Sequence, residues 1–377
     1  MMGKVMSVAS LVFAIMVSTS VWAQPPRQVA AGKDMKKDLI YATIGDRPLK
    51  LDLYLPQEAK KPLPLVIWVH GGGWMSGTKD GCPARRLIAD GFAVASIEYR
   101  LSGEAIFPAQ IEDCKAAVRW LRANADKYGL DPNKFGVWGS SAGGHLVALL
   151  GTTSDTEHFD VGDHLDVSSR VQAVCDYYGP TDMLKMDEGK PATARRRHDG
   201  PDSPESKLIG GPILENKDKV ARANPITYIS PKTPPFLIVH GDADPTVAHL
   251  QSVLLYDALK KENLPVHFHT IEGAGHGKGF GGADVTEMVD QFFAATLKSE
   301  APIENKQMTS KSKASEPRGA ARSAQGRRPQ MSYEQVMARA DRNKDGKVTK
   351  EEFDGPPRLF PVLDRNEDGE LTRDDFR

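Results

Sequence analysis

The sequence predicts an α/β fold, a mostly parallel sheet covered by helices, followed by a small separate module. Three observations support this. Short apolar runs alternate with helical patterns from residue 38 to 298, a polar stretch without large apolar residues follows, and a repeated acidic pattern ends the chain. Strands that alternate with helices are typical of parallel sheets with helices on both faces. A chain of 377 residues is long enough for one large core and an appended module.

The first 23 residues have the composition of a signal peptide. Lys4 is their only charged residue, and the apolar run Val5–Val17 follows it. That run is shorter than the roughly 20 apolar residues that a membrane-spanning helix needs. Val21-Trp22-Ala23 ends in a small residue, as a cleavage site does. We therefore predict a signal peptide at residues 1–23, a secreted or periplasmic location, no membrane span, and an N-terminal extension at residues 24–37.

The composition argues against two classes of function. The formal net charge is −1, from 49 basic and 50 acidic residues, which gives no general attraction to nucleic acid. The cysteines are Cys82, Cys114 and Cys175, and the closest two are 32 positions apart. That spacing fits neither a disulfide scaffold nor a metal cluster. We predict no nucleic-acid partner and three cysteines that pack as small buried hydrophobic residues.

The elements of the predicted sheet follow one another along the chain. The first two apolar runs, Leu39–Ile44 and Leu49–Tyr54, flank a turn sequence and predict a hairpin. Helical spacing of apolar residues predicts helices around residues 111–121 and 253–260. Six later runs predict buried strands: Leu65–Val69, Ala93–Ile97, Lys134–Trp138, Val171–Asp176, Phe236–His240 and Val266–Ile271.

Two polar stretches interrupt this alternation, Thr152–Ser169 and Met183–Lys232. Both are rich in Gly, Pro, Asp and Lys, and long insertions of this kind usually form lids or walls of active sites. The second contains Arg195-Arg196-Arg197-His198. This basic run either contacts an acidic substrate or forms a solvated charge run, and we favour the solvated run.

A nucleophile motif follows the third predicted buried strand. Gly139-Ser140-Ser141-Ala142-Gly143 lies between the run Lys134–Trp138 and a helical pattern that begins at Gly144. A strand-to-helix turn of this kind exposes a serine oxygen, and small flanking residues relieve crowding around it. The middle position of the motif makes Ser141 the predicted nucleophile, rather than Ser140.

A glycine-rich loop predicts an oxyanion hole for that serine. His70-Gly71-Gly72-Gly73-Trp74 follows the run Leu65–Val69. Acyl transfer develops negative charge on the former carbonyl oxygen, and backbone N–H groups held in place beforehand stabilise it. We predict that Gly72, Gly73 and Ala142 supply these N–H groups.

A serine nucleophile needs a base, and the base needs an acid that orients it. Asp244 follows the run Phe236–His240, and His276 lies on the glycine-rich loop after the last predicted strand. Asp242 is the alternative acid, but it lies closer to the strand and is the better candidate for shaping the turn. Serine, aspartate and histidine in this chain order are typical of α/β-hydrolases.

The remaining histidines are predicted to be structural. His267 and His269 alternate within a strand, His145 opens a helix, and His70 is expected to steady the oxyanion loop. The region contains no His-Glu-x-x-His pattern. We therefore expect no cofactor for catalysis.

Residues 38–298 resemble the BD-FAE-type esterases, a group of α/β-hydrolases that includes acetylxylan and feruloyl esterases. The group is related to the hormone-sensitive-lipase-like carboxylesterases, which usually have Asp where this chain has Ser140. The resemblance implies an α/β-hydrolase fold and hydrolysis of short acyl groups from sugar or phenolic esters. It rests on His70–Trp74, Glu98–Leu101, Gly139–Leu146, Tyr178–Asp182, His240–Val247 and Gly273–Gly277.

Residues 299–330 are predicted to be a disordered linker, because they contain almost no large apolar residue. Two twelve-residue repeats follow in residues 331–377 and have the pattern of calcium loops, with ligands at positions 1, 3, 5, 7, 9 and 12. The second loop ends in Asp rather than Glu, and we expect this to weaken its site. The predicted ligands are Asp341, Asn343, Asp345, Lys347, Thr349 and Glu352, then Asp364, Asn366, Asp368, Glu370, Thr372 and Asp375.

The calcium module is compact, because only Phe353–Leu363 separates the two loops. It resembles the paired EF-hand or dockerin-like tails of secreted bacterial proteins. Two alternatives stay open for it, calcium-dependent docking to a partner and stabilisation of the tail without a partner.

The function predicted for the chain is that of a secreted serine carboxylesterase acting on small-molecule or polysaccharide esters through an acyl-enzyme. One alternative is an exopeptidase on the same fold. Another is an idle hydrolase domain beside a calcium-dependent binding module.

Overall fold

The computed structural model describes residues 34–194, 196–299, 341, 347–350, 352–353 and 368–372. The chain divides into two compact units, residues 1–310 and residues 311–377. The predicted signal peptide, residues 24–33 of the predicted extension and residues 300–330 of the predicted linker lie outside the described residues.

An eight-stranded sheet forms the centre of the first unit, in the spatial order β1-β2-β4-β3-β5-β6-β7-β8. Strand β2 is antiparallel to both of its neighbours, and all other neighbouring strands are parallel. The predicted mostly parallel sheet is therefore confirmed. The strands are β1 (Asp34–Ile44), β2 (Arg47–Leu55), β3 (Leu63–Val69), β4 (Ala93–Ile97), β5 (Leu130–Ser140), β6 (Ala173–Tyr177), β7 (Phe236–Gly241) and β8 (Val266–Ile271).

Helices cover both faces of this sheet. Two apolar clusters lie on opposite faces of the sheet, because successive side chains of a strand point to opposite faces. In β3, Ile67 packs into the first cluster and Val66 into the second. Side chains of α1, α3 and α6 complete the first cluster, and side chains of α7 complete the second. The helices are α1 (Ala109–Ala123), α2 (Ala125–Tyr128), α3 (Ala142–Thr152), α4 (Pro204–Ile209), α5 (Lys217–Ala223), α6 (Leu250–Lys261) and α7 (Ala283–Leu297).

Several element boundaries differ from the predicted ones. Strand β1 begins at Asp34, four residues before the predicted start of the domain, and β5 begins at Leu130 instead of Lys134. Polar residues hide both starts in the sequence. Strand β1 is an edge strand, which tolerates charged side chains, and the first turn-like residues of β5, Asp131-Pro132-Asn133, are not buried. The three cysteines are free and buried, as predicted.

The two insertions have different surroundings. The first is held to α1 by Lys115 and Arg119, which are buried and both contact Asp160. It lines a cavity of about 450 Å³. The second insertion contains α4 and α5.

The described part of the second unit contains a two-stranded antiparallel sheet, β9 (Val348–Thr349) and β10 (Glu370–Leu371). Val348 pairs with Leu371, and both side chains are fully buried. These two residues occupy position 8 of the two predicted calcium loops. Among the described residues of the chain, no helix combines the length and apolar character needed to span a membrane.

Candidate active site

Ser141 lies at the sharp turn between β5 and α3. Its backbone has φ of 55° and ψ of −121°, a conformation that non-glycine residues adopt only when the surroundings enforce it. Its N–H donates a 2.8 Å hydrogen bond to the carbonyl of Tyr177 on β6. The flanking glycines are required by close packing, because a β-carbon at Gly143 would overlap the carbonyl oxygen of Val69. The strand and helix thus hold the serine oxygen at the carboxyl edge of the sheet.

The three predicted triad residues meet at this edge. His276 Nε2 lies 3.1 Å from Ser141 Oγ, and His276 Nδ1 lies 2.7 Å from Asp244 Oδ2. Both distances are hydrogen-bond distances. Ser141 follows β5, Asp244 follows β7 and His276 follows β8, so loops at one edge of the sheet bring together residues that are 135 positions apart in sequence.

Asp244 is held as a carboxylate. It is 1% exposed, and Oδ1 accepts hydrogen bonds from the amides of Thr246 at 2.8 Å and Val247 at 3.0 Å. Burial alone would raise the pKa of this carboxyl, but the hydrogen bonds from His240 and His276 outweigh burial and place the pKa well below the usual range. Asp244 is therefore an acceptor that can orient His276.

His240 is a neighbour of the triad to which the sequence analysis assigned no role. Its Nε2 lies 3.0 Å from the carbonyl of Val247 and 3.3 Å from Asp244 Oδ2, and its Nδ1 lies 2.7 Å from Ser252 Oγ. Since a carbonyl only accepts, Nε2 carries a proton and also faces the Asp244 carboxylate. The sequence signal that points to it is its place at the end of β7, four residues before Asp244.

Two glycines of the predicted oxyanion loop have a left-handed backbone conformation, which favours glycine. Gly72 has φ of 116° and Gly73 has φ of 60°. Within the described part of the chain, no carbonyl accepts a hydrogen bond from the amides of Gly72, Gly73 or Ala142 outside the regular helices and strands. These amides lie beside Ser141 in the lining of one cavity. They are available to a ligand oxygen.

His70 supports this loop. Its Nδ1 donates a 2.8 Å hydrogen bond to the Gly71 carbonyl, its ring stacks on Tyr99 at 4.3 Å, and its own carbonyl accepts from the Tyr99 hydroxyl at 3.0 Å. Burial lowers the pKa of His70, which favours its neutral form. These contacts match the predicted steadying role.

The other residues considered in the sequence analysis lie outside the proton path. Asp242 Oδ1 accepts a 2.7 Å hydrogen bond from the amide of Gly273, as expected of a residue that shapes the turn. His145 is fully buried, its Nε2 donates to the carbonyl of Ala223 at 2.7 Å, and burial lowers its pKa to about 4. His267 and His269 lie on β8 and do not line the cavity that contains Ser141.

The cavity beside Ser141 has a volume of about 410 Å³. The second insertion supplies part of its wall, as predicted, whereas no residue of the first insertion lines it, because the first insertion packs on α1 instead. Besides Ser141, His276, Ala142 and Gly71–Gly73, the lining residues are Trp74, Ser140, Tyr178, Pro180, Arg196, His198, Pro204, Glu205, Thr246 and Val247.

The basic run in the second insertion is only partly the solvated run that we favoured. Arg197 is exposed and pairs with Asp199, and Arg195 lies outside the described residues. Arg196, however, lines the cavity, and His198 is buried with its Nδ1 2.7 Å from Glu205 Oε1. Helix α4, which begins beside this run, provides the carboxylate that makes the histidine's burial possible.

Tyr178 is a second residue that the sequence analysis did not assign to the site. Its ring centroid lies 4.6 Å from that of His276, in an edge-on arrangement. The residue has φ of 44°, an unusual backbone conformation for a bulky side chain. Burial raises the pKa of Tyr178, and its hydroxyl hydrogen-bonds with Ser140. The sequence signals for it are its place directly after β6 and its position in Tyr178–Asp182, one of the stretches that carry the family resemblance.

Two local features of the predicted calcium loops lie within the described residues. Glu352, at position 12 of the first loop, accepts hydrogen bonds at Oε2 from the amide and hydroxyl of Thr349 at 3.1 and 3.0 Å. Gly369, at position 6 of the second loop, has φ of 83°, as the sharp turn there requires. The predicted ligands Asn343, Asp345, Asp364, Asn366 and Asp375 lie outside the described residues.

Comparisons with known proteins agree on the family and on the tail. The BD-FAE family model matches residues 51–259, and an EF-hand model matches residues 334–354. The esterase LipC of Mycobacterium tuberculosis is 33% identical over 239 residues, which are 62% of this chain and 58% of LipC. The chain spans little more than half the length of the curated relatives it matches.

Solved structures of carbohydrate-active enzymes have the same fold. A truncated carbohydrate esterase from gut microbiota has a TM-score of 0.65 and 33% identity, covering 71% of this chain and 98% of that one. A bifunctional GH43-CE protein of Bacteroides eggerthii has a TM-score of 0.63 and 35% identity, covering 70% and 35%. An acetyl ester-xyloside bifunctional hydrolase of Caldicellulosiruptor lactoaceticus has a TM-score of 0.53 and 27% identity, covering 68% and 89%.

Proposed function

This chain belongs to the BD-FAE family of α/β-hydrolases, and we propose that it is a serine carboxylesterase that hydrolyses short-chain acyl or aryl esters through an acyl-enzyme. The observation that carries the proposal is the continuous hydrogen-bonded series from Asp244 through His276 to Ser141, with distances of 2.7 and 3.1 Å. Relatives and similar structures named as esterases support it.

In the acylation step, Ser141 Oγ attacks the ester carbonyl carbon while His276 Nε2 takes the hydroxyl proton. The buried carboxylate of Asp244 stabilises the imidazolium that forms and keeps Nδ1 protonated. The carbonyl oxygen becomes negative and is bound by the amides of Gly72, Gly73 and Ala142. Collapse of this intermediate expels the alcohol, which receives the proton from His276.

Water then completes the reaction by the same route. It enters the place of the departed alcohol, loses a proton to His276 and attacks the acyl carbon of the ester on Ser141. The oxyanion amides bind the second tetrahedral intermediate, and its collapse returns the proton to Ser141 and releases the acid. None of these steps calls for a group beyond the chain's own residues and water.

We propose esters of carbohydrates, of the acetylxylan or feruloyl type, as the substrates. The similar structures named as a carbohydrate esterase and an acetyl ester-xyloside hydrolase support this class. A cavity of about 410 Å³ beside Ser141 suits a short acyl group with part of a sugar. An exopeptidase on this fold is the second candidate, but no observation favours it over an esterase.

We also propose export of the protein to the periplasm or the medium, on the basis of residues 1–23, and calcium binding by the tail. When bound, calcium would be held by the predicted ligands Asp341, Thr349 and Glu352 together with the other oxygen ligands of the loops. Extracellular calcium would then stabilise the loops, or order a surface for a docking partner.

Acetate release from acetylated xylan tests this function directly. We expect release by the purified protein in calcium-containing buffer and its loss in Ser141→Ala. Ser168→Ala is the matched control, because Ser168 is an exposed serine that does not line the cavity beside Ser141. An unchanged rate in Ser141→Ala would refute the mechanism.

An organophosphonate separates the active esterase from an idle hydrolase domain. We expect stoichiometric labelling of Ser141, detected by mass spectrometry of peptides, and no labelling of Ser140. Absence of labelling would favour the idle domain. Cleavage of an aminoacyl anilide at a rate that rivals ester cleavage would favour the exopeptidase.

A further inference from the structure

Three buried polar side chains line the cavity beside Ser141 and have atoms without a hydrogen-bond partner. They are Trp74 Nε1, His198 Nε2 and Glu205 Oε2, and the absence of a partner holds for the part of the chain that the structure describes. Trp74 is 1% exposed, and His198 and Glu205 are 2% exposed each. Buried polar groups without partners cost free energy and are uncommon in native proteins. These atoms have almost no exposure of their own, so a ligand in the cavity supplies the missing partners by inducing small rotations of the side chains.

Trp74 ends the oxyanion loop, and Glu205 lies at the start of α4, which contacts that loop. A β-carbon built on Gly73 would lie 3.4 Å from Pro204 Cβ, so the start of α4 packs against that loop. Glu205 follows Pro204, and Trp74 follows Gly73. His198 is tied to this group by its 2.7 Å hydrogen bond to Glu205.

The unpartnered atoms include both hydrogen-bond polarities. Trp74 Nε1 is a donor only, and a Glu205 carboxylate oxygen is an acceptor only. Since His198 Nδ1 donates to Glu205, its Nε2 in the neutral ring is a second acceptor. A hydroxyl group both donates and accepts, and several hydroxyls on one ring can serve all three atoms. An acetyl methyl group, or an alkyl ring that carries no free hydroxyl, can serve none of them.

We propose that Trp74, His198 and Glu205 form a subsite that binds hydroxyl groups of the substrate's alcohol part, and that the enzyme therefore selects esters of polyhydroxylated rings such as sugars. This inference rests on the proposed esterase function and adds to it the residues that determine specificity. The subsite lies outside the triad, so it affects which ester binds well and does not alter the proton path. A tight hydrogen-bonding site rejects substrates that lack the hydroxyl, because its buried polar groups are then left unpaired.

A pair of model esters isolates the hydroxyl group. Cyclohexyl acetate and trans-1,2-cyclohexanediol monoacetate share the ring and the acyl group and differ by one neighbouring hydroxyl. A monoacetate of methyl β-xylopyranoside extends the series to a sugar. We expect kcat/KM of the wild-type protein to rise along this series.

Each of two variants removes one kind of hydrogen-bonding group from the subsite. Glu205→Gln removes the charged acceptor with little change of shape, and Trp74→Phe removes the donor and keeps an aromatic ring. Glu205→Gln should lower kcat/KM for the sugar acetate about 10- to 100-fold, and Trp74→Phe about 3- to 10-fold, the range for losing a charged or a neutral hydrogen bond. For cyclohexyl acetate we expect a change below about 3-fold in both variants.

Glu188→Gln is the matched control, because Glu188 is an exposed carboxylate of the same insertion. Equal losses on the sugar acetate and on cyclohexyl acetate would overturn the subsite and assign the residues a structural role, and so would a wild-type protein that prefers cyclohexyl acetate. If the wild-type protein turns over none of the esters, and Ser141 resists an organophosphonate, the proposed esterase function itself fails. Thermal melting of Glu205→Gln identifies loss of folding, in which case Trp74→Phe alone decides the question.

Discussion

Asp176 provides a quantitative test of the structure, because it is a carboxyl buried beneath the nucleophile turn. It is 1% exposed at the end of β6. Its Oδ1 accepts a 2.9 Å hydrogen bond from the amide of Gly179, and its Oδ2 has no partner among the described residues. Burial raises the pKa of Asp176 from 3.8 to about 7, and the Gly179 hydrogen bond offsets only part of this effect.

The sign of the pH effect follows from this pKa. The folded protein holds the Asp176 proton more tightly than the unfolded chain does. The stability that this proton contributes is therefore fully present below about pH 4 and is lost as the pH rises to about 7. At about 1.4 kcal/mol for each pH unit, the whole loss is about 4 kcal/mol. Between pH 5 and pH 8 it is about 3 kcal/mol.

One effect lowers the pKa of Asp176, but it is smaller than the effect of burial. The Asp176 carboxyl lies against Gly144 in the first turn of α3, where the helix N-terminus stabilises a negative charge. That stabilisation is worth about 0.3 to 2 kcal/mol. Burial therefore dominates, and we expect Asp176 to be protonated in the folded protein at pH 6.

The substitution Asp176→Asn mimics the protonated carboxyl and cannot ionise. We expect the free energy of unfolding of the wild-type protein, minus that of the variant, to fall by about 3 kcal/mol from pH 5 to pH 8. Urea unfolding followed by tryptophan fluorescence at four pH values measures it, with the exposed residue changed in Asp166→Asn as control. A difference that stays constant with pH would mean that α3 keeps Asp176 ionised, and would refute the reasoning.

Three further predictions concern the triad, the nucleophile turn and the tail. Asp244→Asn should lower kcat on p-nitrophenyl acetate about 10³- to 10⁴-fold, because the imidazolium loses its carboxylate. Asp242→Asn should change kcat less than about 10-fold. Equal losses in the two variants would argue against Asp244 as the acid of the triad. Gly143→Ala should lower the melting temperature by several degrees, because a β-carbon would overlap the Val69 carbonyl; an unchanged melting curve would contradict that packing. Glu352→Gln should weaken calcium binding, measured by calorimetry, by about 10-fold or more, because a bidentate carboxylate is lost. Glu351→Gln, at the non-ligand position 11, should leave calcium binding unchanged. Equal effects of the two substitutions would argue against the loop assignment.

The triad was predictable from sequence because each member follows a recognisable apolar run, although β8, predicted to be buried, is a partly exposed edge strand. Apolar runs identify β5, β7 and β8, and parallel strands end at one edge of a sheet, so the residues after them meet there. The choice of Asp244 over Asp242 rested only on distance from the strand. The structure supplies the physical reason, which is that the amides of Thr246 and Val247 hold the Asp244 carboxylate in place, while Asp242 is used by the turn at Gly273.

The specificity side of the cavity was not predictable in the same way. His198 and Glu205 are seven positions apart, with no regular helix between them before α4 begins at Pro204, so no periodicity links them. In the sequence, the three arginines before His198 favoured the interpretation as a solvated charge run. In the structure, α4 packs against Gly73 and makes burial of His198 possible. Tyr178 and His240 were missed for a related reason, because their roles depend on side-chain contacts with His276 and Asp244 that appear only once the loops are folded.

The triad was predictable and the proposed subsite was not, and this difference has a physical cause. Ser141, Asp244 and His276 lie on connections that follow strands β5, β7 and β8 of the central sheet, so the sheet determines where these connections meet. His198 and Glu205 lie on an insertion whose neighbours are loops and two short helices, so a change of either side chain leaves the strands that carry the triad in place. We therefore expect substitutions in the Met183–Lys232 insertion to alter the preference among esters while leaving the hydrolytic mechanism intact. Substitutions around β5 that reduce turnover of a sugar ester should reduce turnover of every other ester in proportion.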